Sequence, residues 1–385
     1  MKKIAIITST RAEYGLLYPL ITELRKKEDD AFKVEVIVTG THLDENYGMT
    51  VKEIEKDGVR IDERIPITMK SSSALDISSN QADALIKFTK LFAEKMYDAI
   101  VILGDRYEML AIAVAAGNTR TPIFHLCGGD TTEGAIDEWI RHSITKMSYL
   151  HFTTNEQSRK RVIQLGENPD RVFNYGSTSI DNILRSADMS KEEALESVGL
   201  RTCDYALCTY HPVTTEDNIE EKITAFIEAI SHFPSIEFII TKSNADLGGS
   251  RINELLDEAN SKIENVHVFT SLGTIRYLSL MKNALFVIGN SSSGIIETPS
   301  FKIPTVNIGN RQRGRLQCES IINCEDNENA IIVAIQKALS VDMQNLCKKV
   351  KSPYGDGNAA PQIADCIYSA LLNDCITVEK EFYNL

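Results

Sequence analysis

Apolar runs of strand length alternate with longer stretches of helical periodicity along the whole chain. In the first part the runs fall at 4–8, 34–39, 99–103, 122–126, 151–153 and 172–177. Continuous apolar runs predict strands buried on both faces, and helical segments between them predict βαβ units in a parallel sheet. The pattern restarts at 205–209, 237–241, 266–269, 285–288 and 305–308, with 216–233 and 251–261 reading as helices between strands. A chain of 385 residues is too long for one ordinary domain. The expected fold is therefore α/β, two doubly wound domains over 1–178 and 179–359, with the break at Gly176-Ser177. The loop Ser352-Pro353-Tyr354-Gly355-Asp356-Gly357-Asn358 precedes a helix at 363–372, and the segment 360–385 is expected to return to the first domain. Two such domains leave a cleft at the carboxyl ends of their strands, where open α/β sheets bind ligands. Functional residues should follow strands.

A formal charge of −13 disfavours binding to nucleic acid, so any anionic ligand has to be gripped locally. The first residues, Met1-Lys2-Lys3-Ile4-Ala5-Ile6-Ile7, lead into a strand, and no apolar stretch there has the length of a signal peptide or membrane span. A cytoplasmic protein without membrane contact is the expectation. The eight cysteines form no C-x-x-C pair, which argues against a zinc site or a disulfide framework.

The strand ends carry the candidate chemistry. Gly289-Asn290-Ser291-Ser292-Ser293-Gly294-Ile295-Ile296-Glu297 joins a strand to a helix expected from Ile295, and its small residues let a diphosphate approach the backbone. Glu297, about one turn into that helix, is placed to accept from a ribose hydroxyl. An ordinary strand-to-helix turn would look the same, so other segments must decide. After the first strand comes Ser9-Thr10-Arg11-Ala12-Glu13-Tyr14-Gly15, which lacks the G-x-G-x-x-G fingerprint of nicotinamide-cofactor sites. Arg11 can meet a phosphate in bidentate fashion, with Glu13 holding Arg11. Gly40-Thr41-His42 and Gly104-Asp105-Arg106-Tyr107-Glu108 end the next two strands.

The densest run of titratable groups is 125–142. It follows a strand, crosses a glycine-rich loop with Cys127, Asp130 and Glu133, and enters a helix near Ile136 that carries Asp137, Glu138 and Arg141. Several carboxylates near one cleft can have their pKa values pushed apart, so that one group takes a proton and another supplies one. Helix capping by Asp130, Asp137 and Glu138 is the plainer alternative. In the second half, Thr209-Tyr210-His211-Pro212, Thr241-Lys242-Ser243-Asn244-Ala245-Asp246 and the arginine-rich stretch from Asn307 through Arg311 to Arg315 follow strands in the same way.

Together, Ser9 to Gly15, Gly104 to Glu108, the run 125–142, Gly289 to Glu297 and Pro353 to Asn358 resemble the hydrolysing UDP-N-acetylglucosamine 2-epimerases of sialic acid biosynthesis, in order and over nearly the whole chain. The resemblance implies two Rossmann-like domains facing across a cleft, as in GT-B glycosyltransferases, with a nucleotide-sugar substrate and a homodimer. It implies loss of the C2 proton as UDP leaves C1, then addition of water to the 2-acetamidoglucal, releasing N-acetylmannosamine. Asp105 and Asp137 match residues assigned to the proton transfers, and His211 matches a histidine near the phosphates. Arg11, Arg141, Ser291, Ser292 and Glu297 match positions that hold the nucleotide. His42, Arg106, Glu138, Asn290, Ser293, Gly294 and Arg311 complete the expected binding set. Many relatives have glutamate where this chain has Cys127, which leaves Asp130 or Glu133 to cover that role. No hydride moves in this chemistry, so no redox cofactor is expected, and no metal.

The nearest competitor is a 2-epimerase acting on a nucleotide-linked 2,4-diacetamido-trideoxyhexose on the way to legionaminic acid. A GT-B glycosyltransferase would share the architecture but leave the carboxylate cluster without a task, and a nucleotide-sugar sensor would tolerate loss of Asp105 or Asp137.

Overall fold

The computed structural model describes residues 1–45, 49–69, 73–131, 136–211, 218–242, 249–270, 272–373 and 376–385. The chain divides into two compact units, Met1–Asn182 with Gly357–Leu385, and Ile183–Asp356.

The first unit is built on seven strands: β1 (Lys2–Thr8), β2 (Phe32–Thr39), β3 (Glu63–Ile65), β4 (Ala99–Leu103), β5 (Ile123–Leu126), β6 (Leu150–Thr153) and β7 (Val172–Asn174). Their order is β3-β2-β1-β4-β5-β6-β7, all parallel. β1 shows how the sequence makes this sheet. Ile4 and Ile6 enter one core layer and Ala5 and Ile7 the other, all fully buried, so no polar position interrupts the run. The Ala359–Leu372 helix packs its Ile363, Ile367 and Leu371 into the layer that also holds Leu17 and Leu20 of the Arg11–Arg25 helix. Its first turn is tied down by Asp181, which accepts from the amides of Ala359 at 3.2 Å and Ala360 at 2.8 Å.

The second unit holds β8 (Tyr205–Thr209), β9 (Glu237–Thr241), β10 (Val266–Phe269), β11 (Phe286–Gly289), β12 (Thr305–Ile308) and β13 (Ile321–Cys324). The order is β10-β9-β8-β11-β12-β13, again all parallel. Each sheet reverses direction of winding once, between β1 and β4 and between β8 and β11, and such switch points are where loops diverge to leave a crevice. Among the described residues no helix is long and apolar enough to cross a membrane.

Several local expectations are corrected. The edge strands β3 and β13 did not register as apolar runs, because Glu63-Arg64-Ile65 and Ile321-Ile322-Asn323-Cys324 each leave part of their length to solvent. The C-terminal helix begins at Ala359 and not at 363, since Pro361 sits in the first turn, where a missing N–H costs nothing. The helix after β11 is Ser292–Ile296, starting before the expected Ile295. It gives way at Pro299 to the 3-10 turn Thr298–Phe301, so Glu297 is its C-cap.

Candidate active-site residues

At the switch point of the first sheet, the turns after β1 and β4 lie side by side. Thr10 caps the Arg11–Arg25 helix in a capping box with Glu13. The Glu13 carboxyl accepts from the amides of Ser9 at 2.8 Å and Thr10 at 3.1 Å, and lies 2.9 Å from the Ser9 hydroxyl. That hydroxyl is also 2.7 Å from Glu108 Oε1, which receives Arg106 Nε at 2.6 Å. One hydroxyl proton serves only one carboxyl at a time. The other oxygens of the pair, Glu13 Oε1 and Glu108 Oε2, are buried and unpartnered. Burial first, then the Glu108 carboxylate, hold the Glu13 carboxyl up to about 7.

The expected hold of Glu13 on Arg11 is not formed, because capping the helix uses Glu13. Arg11 points outward, its side chain 70% exposed and its Nε 3.0 Å from Glu53 Oε2. His42 is fully buried. Its ring nitrogens meet Thr8 Oγ1 at 3.0 Å and Thr50 Oγ1 at 2.8 Å, and burial lowers its pKa to about 4. It joins the end of β1 to the turn after β2 as a neutral ring.

The carboxylate run forms a second cluster around Arg141, on the Ile136–Met147 helix. This buried guanidinium pairs with Asp105, donates to the Asp130 carbonyl at 2.7 Å and reaches Glu138 Oε2 at 3.3 Å. Glu138 Oε1 meets His142 Nε2 at 3.1 Å. A buried guanidinium has to spend its N–H groups on acceptors, and here it collects groups from three segments of the chain. The Asp105 carboxyl is held above the usual range. Burial dominates, Arg141 opposes it, and the charges of Asp137 and Asp130 reinforce it. Asp137 itself is exposed, in the first turn of the helix.

Asp130 is used differently. Its carboxylate accepts from Thr154 Oγ1 at 2.9 Å and from the Ser158 hydroxyl. The preceding Gly129 has φ +81°, and a Cβ there would stand 2.3 Å from the Ser158 carbonyl. The loop is thus anchored on the Glu156–Gln164 helix. His125 Nε2 meets the Gly104 carbonyl at 2.8 Å, bracing the turn that bears Asp105. Burial first, then Asp130 and Asp105, raise the Cys127 thiol far above its ordinary value, so it stays protonated near neutral pH. Glu133 lies outside the described residues.

In the second unit the turns after β8 and β11 meet. Gly289, at φ +138°, approaches Thr209 so closely that a Cβ would lie 2.0 Å from its carbonyl oxygen. Only glycine permits that approach. Asn290, 1% exposed, then clamps the main chain of His211: its Oδ1 accepts from His211 N at 2.7 Å and its Nδ2 donates to His211 O at 2.8 Å. The Asn290 carbonyl receives Arg311 Nη1 at 3.1 Å and Gln312 Nε2 at 2.9 Å. Its side chain is a clasp between turns. Ser291 caps the short helix, and Ser292 opens it. Gly294 packs on β12, its carbonyl receiving Thr305 Oγ1 at 2.8 Å. Ser293 Oγ donates to Glu297 at 2.6 Å and receives Tyr277 OH at 3.2 Å, while Tyr277 OH also lies 3.3 Å from Thr209 Oγ1. Burial raises the Glu297 pKa.

Motif reading missed Tyr277 and Gln312. Neither lies within a glycine-serine motif; Tyr277 reaches the turn from the Gly273–Asn283 helix, and Gln312 from the turn after β12, the strand paired with β11.

A family model described as UDP-N-acetylglucosamine 2-epimerase matches residues 24–368. The chain is 41% identical over 332 residues to the GDP/UDP-N,N'-diacetylbacillosamine 2-epimerase (hydrolyzing) of Campylobacter jejuni, covering 85% of each chain. Over 361 residues it is 38% identical to polysialic acid biosynthesis protein P7 of Escherichia coli, 93% of this chain and 92% of that one. A crystal structure of UDP-GlcNAc 2-epimerase from Neisseria meningitidis bound to UDP-GlcNAc matches with a TM-score of 0.79 at 18% identity, covering 96% of this chain and 100% of that chain. That likeness is one of fold.

Proposed function

The chain belongs to the UDP-N-acetylglucosamine 2-epimerase family, and we propose that it is a hydrolysing 2-epimerase of a nucleotide-linked 2,4-diacetamido-trideoxyhexose. The observation that carries the sugar is the Campylobacter jejuni relative, named for GDP/UDP-N,N'-diacetylbacillosamine, a sugar of this class, whose likeness spans 85% of both chains. UDP-N-acetylglucosamine, giving N-acetylmannosamine, is the second reading, favoured by the description of the family model.

In this reading the second unit holds the nucleotide. His211 and Arg311 meet the diphosphate, the Ser291 to Ser293 turn accepts its oxygens, and Glu297 accepts from the ribose. The first unit supplies the proton chemistry. Asp105, with its raised pKa and its partner Arg141, takes the proton from C2 as the bond from C1 to the diphosphate breaks, leaving a glycal and a nucleoside diphosphate. Water then adds its hydroxyl at C1, and the proton it sheds, like the C2 proton held by Asp105, passes to solvent, from which Asp137 is recharged. Asp137, exposed at the start of its helix, delivers a proton to the other face of C2, and the free 2-epimer leaves. Asp130 anchors the loop through Thr154 and Ser158. Cys127 is a neutral thiol and takes no part as a base. Arg11, exposed beside Glu53, contributes a phosphate contact. A cytoplasmic homodimer completes the reading.

The test is proton NMR in D2O with the UDP-linked and GDP-linked diacetamido sugar and with UDP-N-acetylglucosamine. Release of the nucleotide together with the 2-epimer bearing deuterium at C2 is expected, fastest for the diacetamido sugar. Intact nucleotide sugar, or release of an unlabelled and unepimerised sugar, overturns the proposal.

A further inference from the structure

The second unit carries a cavity that the proposed chemistry does not use. It measures about 920 Å³ and lies at the end of the six-stranded sheet, walled by β13, the Glu328–Leu339 helix and the turn 309–317. Three cations line it, Arg313, Arg315 and Lys337, against one carboxylate, Glu325. None of the three cations has an ion-pair partner among the described residues. Three positive charges thus gather on one cavity in a chain whose formal charge is −13.

A second feature points to a ligand independently. Asn307 Nδ2 donates to Asn323 Oδ1 at 2.8 Å, and Asn323 Nδ2 donates to Gln317 Oε1 at 2.8 Å, across the paired strands β12 and β13. A row of amide-to-amide bonds has a direction, so it must end in an acceptor on one side and a donor on the other, whichever way the amides are turned. Those ends, Asn307 Oδ1 and Gln317 Nε2, have no partner among the described residues, and Asn307 is only 3% exposed. Ile322, Ala330, Val333 and Ala334 add an apolar wall. Cations, a donor and an acceptor end, and an apolar face together suit a sugar ring that bears an anionic group.

We propose that this cavity binds a small hydroxylated anion of the sugar phosphate class, the phosphate on Arg313, Arg315 and Lys337 and the hydroxyls on the ends of the amide row. The occupant is coupled to the nucleotide turn. The cationic turn also supplies Arg311 and Gln312, both bonded to the Asn290 carbonyl, and Asn290 clamps the main chain of His211. Only this coupling rests on the proposed role of His211; the binding does not.

Titration calorimetry of the full chain with glucose 6-phosphate tests the site, with UDP titrated separately. Saturable binding is expected, weakened roughly tenfold or more in Arg313→Ala/Arg315→Ala and in Lys337→Met, while UDP still binds both variants. Asn323→Leu is expected to weaken glucose 6-phosphate but not inorganic phosphate. Binding of glucuronate with the same dependence on the arginines assigns the anionic group to a carboxylate source within the same site. No binding of either sugar anion, binding indifferent to the three cations, inorganic phosphate binding as tightly as the sugar phosphate, or displacement by UDP would each overturn the site. Failure of UDP alone to bind strikes the proposed function and leaves the cavity standing.

Discussion

The two switch points have the same topology and opposite chemistry. After β1 and β4 stand the charges Glu13, Glu108, Arg106 and Asp105, with Arg141 reaching Asp105 from the Ile136–Met147 helix; most of the five are buried, and two carboxyls have raised pKa values. After β8 and β11 stand mostly neutral groups: the Asn290 clamp, the Thr209–Tyr277–Ser293 hydroxyl chain and one acceptor, Glu297. Charges held out of water have protonation states that respond to their surroundings, which suits proton transfer. Neutral amides and hydroxyls fix a shape at little electrostatic cost, which suits holding a ligand that brings its own charge. In the proposed reading the same doubly wound frame separates into a reactive half and a gripping half.

The comparison breaks most visibly at Asp105. Asp105→Asn keeps size and an acceptor oxygen but removes the proton acceptor, so turnover is expected to fall by roughly 10²- to 10⁴-fold with UDP affinity unchanged. Steady-state release of UDP and calorimetric UDP binding check the two halves of that statement. A parallel loss of UDP affinity would mean that the reactive half also grips.

Asn290→Ala removes the clasp and leaves the buried amide and carbonyl of His211 without their partners. Each such group costs roughly 1–3 kcal/mol. Lower stability in urea and weaker UDP binding are expected together; undiminished UDP affinity would separate the clamp from nucleotide binding.

Glu13 sharpens the contrast through pH. Its carboxyl stands at about 7 in the fold against an ordinary 4.5. The folded state therefore holds the proton more tightly between these values, and stability falls as pH rises from about 4.5 to about 7, by about 3 kcal/mol at most. Glu13→Gln keeps an acceptor for the Ser9 and Thr10 amides and removes the charge. Urea unfolding is expected to show variant and wild type close together at pH 5, with the variant the more stable at pH 8. Equal pH slopes for the two proteins would rule this out.

The smallest effect on stability belongs to Arg11. Its exposed pair with Glu53 contributes about 0–1 kcal/mol, so Arg11→Ala should leave the melting temperature nearly unchanged. A rise in KM for the nucleotide sugar would then report direct contact with the phosphates, and an unchanged KM would remove Arg11 from the binding set.

How much of this was legible in the chain follows from where each signal resides. The central strands were read because Ile4 to Ile7, Ala99 to Leu103 and Tyr205 to Cys208 are buried on both faces and carry no charged residue. The edges β3 and β13 were not, because a strand covered on one side needs no continuous apolar run. Motifs named the turns, yet not the partners within them. Glu13 follows Arg11 by two residues but caps the helix instead of holding it. Asn290 stands in a serine-glycine loop but spends its side chain on His211, 79 positions away.

The sequence by itself determined the strand and helix alternation, the two doubly wound sheets, the positions where chemistry follows a strand, and the family, since all of these are encoded in local periodicity and ordered motifs. The tertiary structure alone decided which charges are buried together, which carboxyls rise in pKa, and which amides clasp which turns. Those properties depend on desolvation and on contacts between segments remote along the chain, and no local pattern of residues specifies them.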